Sequence, residues 1–300
     1  MRSRITAKAD EADDYDSPWK EVLEQFFPEF MAFFFPDADR LIDWSKGYEF
    51  LDQELRAVVQ DAELGRRFVD KLVRVTLLTG EEDFLYIHIE VQGAPEQQFG
   101  ERIFVYNYRL YDRYRRPVAS LAVLADDSDG WRPDQFGYEA LGCRVGIRFP
   151  IVKLLDYAGA EGRLLAADNP FGLVTAAHLM ARATRRDMPM RLDAKWRLVR
   201  ILYGKGWSRD RIIALFAVLD WMMRLPHPLH EELWRRLEVL ERETRMRYVT
   251  SVEQIGYERG VKAGIEQVRE ADAVSLRDEA KERAVAVEAP RAAGLYDLET

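Results

Sequence analysis

The chain has 300 residues, 48% of them hydrophobic and 12% aromatic, enough for one large domain or two ordinary ones with a buried core. Its net charge of −8 argues against a broadly basic nucleic-acid binder, and a single cysteine, Cys143, excludes an intrachain disulfide framework and a cysteine-rich zinc site while fitting a cytoplasmic location. Acidity does not exclude a metal-dependent nuclease, whose centre is itself acidic.

Residues 1 to 16 are polar and acidic, read as a loose arm, and lack the apolar core of a secretory signal. A helix is predicted from Asp16 or Ser17 with Pro18 at its first position, carrying Trp19, Val22, Leu23, Phe26, Phe27 and Phe30 at helical spacing. Pro28 is expected to kink or split it. A second helix, about Tyr48 to Gln60, would place Leu51, Leu55, Val58 and Val59 inward, with Glu49, Asp52 and Glu54 distributed around it. The apolar runs FMAFFF and IIALFAVLDWMM are interrupted or too short to span a bilayer, so no membrane partner is expected.

Between Phe68 and Gln92 two alternating strands flank Gly80. A hairpin centred there pairs Val69 with Val91, Val73 with Ile87 and Val75 with Leu85 on one apolar face. Asp70 then lies opposite Glu90 on the other face, with Gln92 roughly 7 Å along from Glu90. Like charges set opposite each other weaken a sheet, so the pair suggests a bound cation or a shared proton.

A helix over 98 to 114 follows, carrying Phe104, Tyr108 and Tyr111 together with Arg102 and Tyr106. Its arginines, Arg109 and Arg113, and the following Arg115 and Arg116 read as a solvated helix end somewhat more readily than as a contact to nucleic-acid backbone. A buried strand is predicted over 118 to 125, then one or two strands over 131 to 157 crossing the sheet edge, with Gly142 and Gly146 as bends. From Asn169 the pattern is helical: 172 to 186, 191 to 203, 208 to 224 and 229 to 245. The organisation so read is an arm (1–16), an α/β domain (17–165), a helical domain (166–249) and a charged helical tail (250–300), disordered toward its end. The helical region or the tail is the expected seat of a homodimer contact. The stretch around Gly206 has the outline of a helix-turn-helix, but its second helix offers mainly Arg209 and Arg211 and reads better as packing.

Asp70 and Glu90 supply hard oxygen ligands suited to Mg²⁺ or Mn²⁺ completed by water and substrate phosphate. On pattern alone they fit equally an exposed acidic strand pair balanced by Arg74 and His88. His178, His227 and His230 lack the spacing of metal ligands and suit core or surface roles.

The order of these features resembles the PD-(D/E)XK nuclease core, in which a helix precedes three strands, a second helix and a fourth strand. Within it, Glu90-Val91-Gln92 followed by Arg102 and Tyr106 is similar to the recombination-promoting nuclease or transposase-like branch, with its E-x-Q and R-x-x-x-Y motifs. The helical C-terminal part and TSVEQIGYERGVKAG, 250 to 264, look like those of bacterial relatives, so the resemblance covers roughly 17 to 265. It implies a mixed sheet flanked by helices and a DNA endonuclease using Mg²⁺, Mn²⁺ or Ca²⁺. Asp70 and Glu90 would ligate the metal, Gln92 would place the attacking water, and Arg102, Tyr106 and Glu54 would bind substrate or brace the site. Gln92 stands where the wider superfamily has lysine; glutamine can orient a water but carries no charge. Lys71, by alternation, points to the face opposite Asp70. The implied alternative is a catalytically degenerate fold serving as a DNA-binding or protein-interaction module.

Overall fold

The computed structural model describes residues 16–51, 55, 69–79 and 84–249. The arm up to residue 15, most of the helix expected up to Gln60, the Gly80 turn and the tail from 250 lie outside the described residues. The first helices, α1 (Asp16–Gln25) and α2 (Phe27–Phe34), part at Phe26, and Pro28 sits in the first turn of α2. Proline is accommodated there because a first-turn N–H has no helical partner to lose. Trp19, Val22, Leu23, Phe26, Phe27 and Phe30 are all buried. A single turn, α3 (Pro36–Asp39), follows.

The sheet begins earlier than its sequence pattern suggests. Where a helix is expected from Tyr48, the chain forms β1 (Tyr48–Phe50), antiparallel to β2 (Val69–Thr76), with Tyr48 opposite Val75 and Phe50 opposite Val73. Two aromatic residues spaced by one suit a pleated strand, and both rings pack on Phe27, at 5.1 and 5.6 Å between centroids. Tertiary contact with α2 thus decides against the helical period over these three residues, whereas Leu55 is helical and buried as expected, its N–H donating to the Leu51 carbonyl at 3.0 Å.

β3 (Phe84–Gln92) pairs antiparallel with β2, and α4 (Phe99–Tyr114) carries the chain over to β4 (Val118–Leu124), parallel to β3. A parallel neighbour requires such a crossover. The five-stranded sheet has order β1-β2-β3-β4-β7 and is mixed, with β7 (Ile151–Lys153) parallel to β4 at its edge. On the α4 face, Leu72, Tyr86 and Leu110 form one apolar cluster, and Phe99, Ile103, Ala122, Leu124 and Phe149 form another. α1 packs beside β2. Since β3 is covered on both sides, its last seven residues are all buried.

The segment expected to cross the sheet edge divides differently. β5 (Gln135–Ala140) and β6 (Cys143–Arg148) form a separate two-stranded ribbon, and β7 alone joins the main sheet. Gly142 occupies the ribbon's turn at φ +83°, which glycine adopts without strain. Gly146 is not a bend but lies within β6 opposite Gly137.

The remaining described elements are helical: α5 (Glu161–Ala166), α6 (Pro170–Ala183), α7 (Met188–Gly204), α8 (Arg209–Met222) and α9 (His227–Thr244). Asn169, Asp187 and Ser208 cap α6, α7 and α8, each side chain accepting a first-turn N–H. α8 lies against α1, α6 and α7, and its Arg211 donates to Glu29 at 3.1 Å across Phe26 and Trp207. An inward-turned arginine on a packed helix is not the geometry of a groove-reading helix, so the helix-turn-helix outline is a packing motif. Residues through Leu240 form one compact unit and those from Glu241 a second. In the latter, the Glu241 carboxylate accepts the backbone N–H groups of Tyr248 (2.9 Å) and Val249 (2.7 Å). Among the described residues no helix is long and apolar enough to cross a membrane.

Candidate functional site

The β2–β3 register is the one the alternation implies: Val69 pairs with Val91, Asp70 with Glu90, Val73 with Ile87 and Val75 with Leu85. Asp70 and Glu90 therefore face each other across the ladder. The side chain of Asp70 and all of Glu54 lie outside the described set. Lys71, expected on the other face, pairs there with Glu24 of α1.

Alternation along β3 sends His88, Glu90 and Gln92 together toward α4. Glu90 is fully buried, so an exposed acidic pair does not describe it. Arg74 instead pairs with Glu49 at 2.6 Å near the sheet edge.

A carboxylate without solvent needs a countercharge and hydrogen bonds. Arg102, one turn into α4, supplies both. Its Nη1 donates to Glu90 Oε1, while Nη2 donates to Gln92 Oε1 and to Glu96 Oε2, each at 3.0 Å. The guanidinium also lies over the Phe99 ring at 5.3 Å. Gln92 completes its amide by donating Nε2 to the Ala94 carbonyl at 2.8 Å. The three acceptors Glu90, Gln92 and Glu96 thus converge on one arginine, and the spacing of Arg102 and Tyr106 does place both, buried, on the inner face of α4.

The second oxygen of Glu90 is different. Oε2 has no hydrogen-bond partner among the described residues, and the nearest nitrogen, His88 Nε2, is 3.7 Å away. His88 is itself wholly buried, and burial lowers its pKa to about 4; Arg102 pushes the same way and Glu90 opposes. The imidazole is consequently neutral near pH 7. Its Nδ1 lies 3.4 Å from Ser120 Oγ on β4, which accepts Asn107 Nδ2 at 3.1 Å, and the Tyr106 ring meets the imidazole edge-on at 5.6 Å.

Further along the same face, Gln92 is in register with Leu124, and Leu124 with Lys153. Lys153 is the lysine that shares this face two strands away. Its ammonium is committed to Asp126 at 2.6 Å, in a fully buried pair, and to the Trp131 carbonyl at 3.3 Å.

The sequence pattern put Asp70, Glu90, Gln92, Arg102 and Tyr106 together, and the fold gathers the last four at one place with the Asp70 backbone opposite. It gave no role to Glu96, Ser120 or Asn107 and little to His88. Two cues were present: a lone serine in the otherwise apolar VASLAVL, and a histidine two residues before Glu90, hence on its face. Among the described residues no group of three or more His, Cys, Asp or Glu is placed to hold a metal ion. What the site does offer is one buried carboxylate oxygen without a donor among the described residues, on a residue in register with a second acidic one. The chain matches no protein-family model, no curated protein and no solved structure.

Proposed function

We propose that the chain is a divalent-metal-dependent DNA endonuclease of the PD-(D/E)XK class, in the recombination-promoting or transposase-like branch. The observation that carries this reading is the Oε2 of a fully buried Glu90, which has no hydrogen-bond partner among the described residues and whose residue is in register with Asp70. The order α1, α2, α3, β1, helical Leu55, β2, β3, α4, β4 supports it, since the helix, three strands, helix and strand of that core occur within it in that order. Asp70 and Glu90 are the proposed ligands of Mg²⁺, Mn²⁺ or Ca²⁺. A cation held by them would polarise a phosphodiester and raise the acidity of a bound water. Arg102 holds Glu90 Oε1 and Gln92 Oε1 fixed relative to each other. Gln92 orients water through the remaining valence of its amide, and Tyr106 packs the site from α4. The purified protein is expected to cut plasmid DNA in Mg²⁺ or Mn²⁺, and Glu90→Gln and Asp70→Ala are expected to abolish cutting. Cleavage undiminished in both variants, or none by the wild type with any of the three ions, contradicts the assignment.

One feature favours a second reading, a degenerate site within a binding module. Glu90 Oε1 and both ends of the Gln92 amide are already occupied, and the cluster is closed to solvent. Calorimetry separates the two: Mn²⁺ binding lost in Glu90→Gln favours the nuclease, and DNA binding without any metal binding favours the module.

A further inference from the structure

A chain of polar side chains that the proposed metal chemistry leaves unused ends on Glu90. It starts at Asn107 on α4, whose Nδ2 carries two hydrogens. One reaches the Val118 carbonyl at 2.9 Å and the other Ser120 Oγ at 3.1 Å. The carbonyl can only accept, so the nitrogen of the amide must face it, and Ser120 Oγ is thereby an acceptor. Its own hydrogen then has His88 Nδ1 at 3.4 Å, the imidazole lying in register with Ser120 across β3 and β4. A neutral imidazole has one N–H; when Nδ1 accepts, Nε2 carries the hydrogen. That nitrogen faces Glu90 Oε2. The hydrogen bonds therefore run in one direction, from Asn107 through Ser120 to His88, whose Nε2–H is left facing Glu90 Oε2 at 3.7 Å, and the Tyr106 ring at 5.6 Å limits rotation of the imidazole.

We propose that His88 is a positioning residue for Glu90, its Nε2–H set by Asn107 and Ser120 so that it directs Oε2 toward the place where a divalent cation is bound. A carboxylate oxygen has two acceptor sites, so one can take the imidazole hydrogen while the other faces the ion. Arg102 holds Oε1 and His88 steers Oε2, which fixes the plane of the carboxylate from both ends. The cation part rests on the nuclease reading above; the direction of the hydrogen-bond chain does not.

Nitrogen-15 NMR of the full chain labelled at histidine, with Mn²⁺ titrations, tests both parts. The protein has four histidines, and loss of a signal in His88→Gln assigns His88. At pH 7 the wild type is expected to show His88 as the Nε2–H tautomer, and Ser120→Ala to shift it toward Nδ1–H. Mn²⁺ affinity should fall about 10- to 100-fold in His88→Leu and recover in His88→Gln, which keeps a donor. Ser120→Ala is the milder change should His88→Leu fail to fold, and it is expected to weaken Mn²⁺ in the same sense. An Nδ1–H tautomer in the wild type overturns the proposal, as does unchanged Mn²⁺ affinity in folded His88→Leu or Ser120→Ala. A wild type that binds no Mn²⁺ overturns the nuclease reading and the cation part with it, while a Ser120-dependent Nε2–H tautomer would still establish the chain to Glu90.

Discussion

Arg102 is the side chain on which the site depends, because it is the buried cation that Glu90 meets directly. Removing one partner of a buried pair leaves the other uncompensated, a change of about 3–5 kcal/mol. Arg102→Leu should therefore lower the free energy of unfolding by that order in urea titration. A loss below about 1 kcal/mol, the range of exposed pairs, would show that Glu90 is not dependent on it. At this scale the sequence was informative where the relation is periodic: Asp70 and Glu90 follow from alternation about Gly80, and Arg102 and Tyr106 from a four-residue step. Partners that come from separate elements were not readable. Ser120 meets His88 only because β4 lies parallel to β3, and Asn107 meets Ser120 only because α4 crosses that pair.

Among the elements, α4 has the largest part in forming the site, since it brings Arg102, Tyr106 and Asn107 over β3 and β4. Its close approach to the ribbon is set by Gly100, where an added Cβ would stand 2.7 Å from the Gln135 carbonyl oxygen. Backbone cannot give way as a flexible side chain can. Gly100→Ala is expected to lower stability by about 1–3 kcal/mol through overpacking, although alanine favours the helix itself. Thermal melting of the variant checks the sign: a rise would mean that α4 and β5 separate freely. The elements that sequence misread share a cause. Tyr48 to Phe50 has apolar residues compatible with either period, and packing of both aromatic rings on Phe27 settles it as a strand. The ribbon pattern resembles that of sheet strands, and nothing local says that β5 and β6 pair with each other rather than with β4.

Across the whole molecule, two histidines are folded away in neutral form. His178 on α6 is held down to about 4 by burial, against the pull of its bond to the Ala125 backbone and of Asp127; His88 is lowered to about 4 likewise. A histidine whose folded pKa lies below its unfolded value binds fewer protons when folded. Its contribution is therefore complete above the ordinary value near 6.5 and shrinks as pH falls toward 4. Each such group contributes roughly 3 kcal/mol across that window. Stability measured by denaturant from pH 7 to pH 4 should fall, and His178→Gln, which keeps a donor without titrating, should flatten the slope. An unchanged slope would mean that His178 is accessible to protons in the folded chain. The order of helices and strands was broadly legible in the sequence because its period changes from two to 3.6 near Asn169. The closure of Glu90 from solvent was not, since burial is a property of α1, α4 and the sheet together.

The central claim is that Glu90 Oε2, in register with Asp70, is half of a metal centre. Crystals of the full chain grown with Mn²⁺ and measured at the manganese edge test it directly. The account predicts one anomalous peak within about 2.1–2.3 Å of Glu90 Oε2 and an Asp70 oxygen. Manganese bound elsewhere, with Glu90 held by Arg102 and its Oε2 still without an ion, would contradict it.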